Sequence, residues 1–168
     1  MAAIKVTVKK DGIPDYLAKL KNKLVVTVGI HEPEGGAAKE VPDGVQSSGE
    51  RLIDVAESHE FGIGVPQRSF VRGCVDEQEG ELKSKLSGAL KTALAPGGRG
   101  AEQQMARFGL YVVGQMQERI SQGIPPELAP STKKYKESLN LAGNAKNTPL
   151  ILTGQLRSSI RSKVEVEK

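Results

Sequence analysis

The chain has 168 residues with a formal net charge of +4, enough for a single domain of ordinary size. Its 38% hydrophobic and 26% charged residues are a globular composition, and with 4% aromatics and no Trp the core must be aliphatic. There is no ~20-residue apolar run to span a membrane, no apolar stretch of a signal peptide, and one cysteine, Cys74, which excludes an internal disulfide.

Ile4, Val6 and Val8 alternate with polar residues and predict a half-buried strand. Pro14 suits the start of a short helix that runs to about Lys23. Leu24 to Ile30 is β-branched and predicts a second strand, apolar on both faces and therefore central. Residues 31–50 collect Gly, Pro and Ser without a period and read as a long loop.

Leu52, Val55, Ala56 and His59 lie at helical spacing, and Gly62 and Gly64 end that helix. From Phe70 through Val71, Cys74, Val75, Leu82, Leu86 and Leu90, one apolar stripe predicts a single long helix to about Ala95. After the break at Pro96–Gly100, Met105, Phe108, Val112, Met116 and Ile120 mark a second long helix that stops at Gly123. Residues 124–149 hold four prolines and read as an irregular arm, with a turn of helix near Thr132–Leu139. Thr153 is placed to cap a short helix through the N–H of Gln155 or Leu156. Ile160, Ser162, Val164 and Val166 then predict a last strand with one wet face.

The sum is one α+β domain over 1–168: a small antiparallel or mixed sheet of three or four strands packed against two long helices. The long loops at 31–50 and 124–149 are the expected assembly segments, because a lone subunit would order them at high entropic cost.

Little here announces catalysis, and no catalytic residue is assigned. His59-Glu60 has no second His four residues on, the spacing that puts two imidazoles on one helical face. One Cys and two His make the usual protein-only zinc site improbable. Neither Phe61–Gly64 nor Pro96–Gly100 has a phosphate-cradling glycine pattern. Cys74, on an apolar stripe, reads as a small buried hydrophobe, and the Asp76, Glu77, Glu79 and Glu81 run as a solvated face. No cofactor is expected.

The charge is uneven. Residues 1–50 and 51–100 each carry seven basic and seven acidic side chains, whereas 101–168 carry ten and six. Lys133, Lys134, Lys136, Arg157, Arg161 and Lys163 are thus candidates for a basic surface with non-specific DNA contact. Tyr135 is the only aromatic near them, so stacking on single strands is not supported. The ordinary reading of such charge is a solvated surface.

Two stretches carry a resemblance. Val55-Ala-Glu-Ser-His-Glu-Phe-Gly62 followed by Val65-Pro-Gln-Arg-Ser-Phe-Val-Arg72 resembles a signature of tailed-phage and prophage neck and tail-completion proteins. Gly123-Ile-Pro-Pro-Glu-Leu-Ala-Pro-Ser-Thr132 with Lys136, leading to Pro149-Leu-Ile-Leu-Thr-Gly-Gln-Leu-Arg-Ser-Ser-Ile160, is similar to that family's closing motif. Order and spacing both match across residues 55–160, and the departures are Ser69 in place of Pro and Leu152 in place of Asp.

The resemblance implies a structural virion protein without covalent chemistry. Such proteins assemble in the host cytoplasm into a homo-oligomeric ring, typically a hexamer, at the head–tail junction. There they join a tail tube or tail terminator protein to a head–tail connector protein. We single out Arg68, Arg72, Lys133, Lys134 and Arg157 as assembly-interface residues. Glu60 is placed to pair with Arg68 or Arg72 across the intervening turn. Arg157 reads either as a plain surface charge or as a subunit contact. The alternative function is non-specific DNA binding by the basic final third.

Overall fold

A computed structural model describes residues 23–31, 36–38, 49–95, 100–139 and 147–167. The predicted first strand, the helix from Pro14 and most of the 31–50 loop lie outside the described residues.

Strand β1 (Lys23–Ile30) pairs antiparallel with β2 (Ile160–Glu167), so the two described strands join nearly opposite ends of the chain. The register sets Val26 opposite Val164, Val28 opposite Ser162 and Ile30 opposite Ile160. Because facing residues project to the same side, these six form one face. Arg161, Lys163 and Glu165 take the other face and are exposed. Val25 is also buried on that second face, as expected of a strand apolar on both sides.

Helix α4 (Ala101–Gln122) packs against both strands and against α3 (Glu79–Leu94). Its inner stripe runs through Met105, Phe108, Val112, Met116 and Ile120, the last three no more than fully buried at 0% exposure. Each such side chain contributes about 1.5–3 kcal/mol of hydrophobic stabilisation. Helix and sheet approach so closely at Gly109 that a Cβ there would lie 2.7 Å from Ser162 Cβ and 3.2 Å from Val26 Cγ1.

Helix α1 (Leu52–Phe61) begins where the Leu52 N–H donates to Ala37 O and ends on Gly62, whose φ of 73° is the left-handed stop glycine adopts freely. The single long helix predicted over 70–95 is two helices, α2 (Arg72–Glu77) and α3, meeting at Gln78. The acidic run straddles the break. Glu79 and Glu81 lie in the first turn of α3, where the helix dipole favours anions. Glu77, at the end of α2, is turned toward Arg119 on α4.

The arm is more regular than its composition suggests. Helix α5 (Pro130–Ser138) starts with Pro130 in its first turn, where a missing N–H costs nothing. Helix α6 (Gln155–Ser158) has Gly154 and not Thr153 as its N-cap residue, with φ 86°, although the Gln155 N–H still donates to Thr153 Oγ1 at 3.3 Å. The described residues are thus α+β, with a two-stranded antiparallel sheet and one long helix across it. No helix among them is long and apolar enough to cross a membrane.

The helix–sheet contact gives a paired prediction. Gly109→Ala should destabilise the fold by roughly 1–3 kcal/mol through overpacking. Gly114→Ala, at a helical position with nothing within 4 Å of the new Cβ, should stabilise it by about 0.5–1 kcal/mol. Urea denaturation of the two variants checks both signs.

Candidate functional site

The two motif-bearing stretches fold into one connected unit beside α1. In the first, the loop after α1 is closed by the Arg68 N–H on His59 O at 2.8 Å and by Gln67 Nε2 on Glu60 O at 3.1 Å. That closure returns the chain to Glu60, a residue that is 3% exposed. Oε2 accepts from the backbone N–H groups of Phe70 at 2.9 Å and Val71 at 3.0 Å. Oε1 accepts from Ser69 Oγ at 2.6 Å, the Arg72 N–H at 3.0 Å and Arg72 Nε at 3.3 Å.

Glu60 therefore caps α2 from another helix. Burial pushes its carboxyl pKa up, but the donors from Ser69, Val71 and Arg72 outweigh that, and the net position lies below the ordinary 4.5. Ser69, a departure from the family-like motif, adds a second link, since its hydroxyl also accepts from the Gly73 N–H at 3.0 Å. Its carbonyl takes Arg119 Nε at 3.0 Å, which ties this corner to α4.

The expected pairing of Glu60 goes to Arg72 and not to Arg68. Arg72 lies over the Phe61 ring, 4.7 Å from its centroid, and remains exposed. Arg68 turns the other way and is 5% exposed. It donates through Nε and Nη2 to Pro126 O, at 3.0 and 2.8 Å, and through Nη2 to Glu127 O at 3.3 Å. These bonds span 58 positions of sequence and join the first motif to the second.

In the second motif Lys136 is buried, which corrects its place in the basic surface. Its Nζ donates to Thr148 O at 2.9 Å and Ile151 O at 2.6 Å, and so holds α5 to the segment leading into α6. Burial lowers the pKa of both Lys136 and Arg68. No periodicity marks Lys136 as internal, because it sits in a run with Lys133 and Lys134. The available signal is helical spacing, which puts it one turn from Leu139.

The other selected cations do not converge. Lys133 pairs with Glu127 at 2.7 Å, close to Arg68 through that residue's carbonyl. Lys134 is exposed on α5. Arg157, exposed on α6, donates to Ser121 Oγ at 2.9 Å, and its carbonyl accepts from Gln117 Nε2 at 3.1 Å, an internal tie between α6 and α4. Lys163 pairs with Glu165 at 2.8 Å. The candidate DNA surface is accordingly divided: Lys136 is withdrawn, and two other lysines are matched to carboxylates.

Between α1, α5 and residues 150–156 lies a cleft of about 250 Å³, lined by both Arg68 and Lys136. Leu150, on its wall, has a φ of 64°, uncommon for a residue with a branched side chain. Cys74 is fully buried, and burial pushes its thiol pKa up, the environment of a packed hydrophobe. Among the described residues no three His, Cys, Asp or Glu side chains are grouped to hold a metal ion. No family model, curated protein or solved structure matches the chain.

The depressed Glu60 carboxyl predicts an acid-sensitive corner. Its contribution is complete above the unfolded value near 4.5 and disappears as pH falls through the lower folded value. Glu60→Gln should lower stability at neutral pH by about 1.5–3 kcal/mol. Denaturation curves from pH 7 down to pH 3 should show wild type and variant converging.

Proposed function

We propose that this chain is a structural subunit of a tailed phage or prophage particle, forming a homo-oligomeric ring at the head–tail junction. In this reading it is made and assembled in the host cytoplasm and joins the tail tube or terminator protein to the connector. It does no covalent chemistry. The ring is expected to hold six copies, as is typical of the proteins the sequence resembles.

The observation that carries this reading is the way the two motifs meet. Arg68 of the Val65–Arg72 stretch binds the carbonyls of Pro126 and Glu127 in the Gly123–Thr132 stretch. Lys136 then binds the carbonyls that lead into the Pro149–Ile160 stretch. The charged residues of the motifs thus engage backbone and fix irregular segments to the core. A subunit that works by shape needs this, since a loop must hold its conformation to present a constant surface to a neighbour.

Quantitative mass spectrometry of purified particles tests the proposal. About six copies per particle are expected for a closed cyclic ring, and absence from finished particles would overturn it. Arg68→Ala should cut incorporation into particles, because the second motif segment loses its tie to the first.

A further inference from the structure

Arg68 and Lys136 are two buried cations that line one cleft, and among the described residues neither has an acidic partner. Their hydrogen bonds all go to backbone carbonyls, those of Pro126, Glu127, Thr148 and Ile151. Among the described residues, none accepts a hydrogen bond from Arg68 Nη1 and no Asp or Glu lines the cleft. Withdrawing a cation from water is costly unless a counter-charge replaces the lost hydration, and carbonyl dipoles replace only part of it. Among the described residues, the cleft thus holds two cations and no carboxylate to balance them.

The remaining walls restrict what can supply the negative charge. Leu52, Val55, Leu128, Leu150 and Ile151 make them largely apolar, which suits a carboxylate on a hydrocarbon stem better than a strongly hydrated phosphate. The rim has the character of a protein contact. Tyr135 borders the cleft yet is 46% exposed, and an exposed Tyr beside an apolar recess is a common anchor of interfaces. Lys134, exposed on the same helix, adds attraction for an approaching acidic segment.

We propose that this cleft receives a segment of a partner protein carrying an acidic side chain next to an aliphatic one. The carboxylate provides the counter-charge that Arg68 and Lys136 lack. The aliphatic group fills the apolar part of the recess, with Tyr135 closing over it. The proposal goes beyond the ring reading and does not require it, since such a partner need not belong to a particle.

Calorimetric titration of the full chain with four probes tests this: the blocked tripeptide Leu-Glu-Leu, its Leu-Gln-Leu counterpart, hexanoate and inorganic phosphate. Leu-Glu-Leu should bind at least about tenfold more tightly than Leu-Gln-Leu, the effect of about 1.4 kcal/mol from a buried charge pair. Tyr135→Ala, at an exposed position that leaves the fold intact, should weaken that binding several-fold with an unchanged melting temperature. Self-association of the protein that Leu-Glu-Leu reverses supports the proposal, with a second copy as the partner.

Equal affinity for the Glu and Gln peptides, or no binding of either at millimolar concentration, overturns it. Hexanoate or phosphate binding as tightly as Leu-Glu-Leu also overturns it, by assigning the cleft to a free anion. These outcomes are independent of the particle copy number that tests the ring.

Discussion

A carboxylate taken out of water must recover its hydration from the protein, and Glu60 does so from one short stretch, residues 69–72, through three backbone N–H groups and the Ser69 and Arg72 side chains. The N–H groups of residues 70, 71 and 72 point at it because α2 is about to begin and has no earlier carbonyls to bind. Each side answers the other's deficit: the helix start has orphan donors, and the buried acid has orphan acceptors. This exchange sets where α1 ends relative to α2. Through Ser69 and Arg119 it also sets how α2 sits against α4.

The cations solve the complementary problem in a different manner. Arg68 and Lys136 reach carbonyls in irregular segments that have no ladder or helix to satisfy them. Long side chains suit this role, since a guanidinium or ammonium can cross a gap that the backbone does not close. Pro126 and the turn before α6 are thereby attached to the body of the domain. Among the described residues, neither cation of this cleft meets a carboxylate. Elsewhere exposed pairs such as Arg51 with Asp54, or Lys83 with Glu79, hold charge in near balance and contribute little to stability.

Much of the fold was legible in the sequence. The β-branched run from Leu24 to Ile30, and the alternation of Ile160 and Val164 with Arg161 and Lys163, marked the two strands within a residue or two. The stripe from Met105 to Ile120 marked α4, and Gly62 and Gly123 marked helix ends. These features are local, because a strand or helix buries a face whose period is written in neighbouring residues. The division at Gln78 was not legible, since the apolar stripe continues through it. At that point Glu77 meets Arg119, 42 positions away, a contact that no local pattern records. The length of α5 was hidden for a similar reason: its polar composition offers no stripe, and its inward face is anchored by a lysine.

The candidate site was legible only as a list of residues. That Glu60 pairs with an arginine across the turn was legible, but nothing in the order of amino acids distinguishes Arg68, which turns inward, from Arg72, which stays in water. By itself the sequence determined an aliphatic α+β chain, the two described strands, and helices α1 and α4. Only the tertiary structure decided which charges are buried and what they bind. A side chain's hydration depends on whatever surrounds it in space, and for Arg68 and Lys136 those surroundings come from remote parts of the chain.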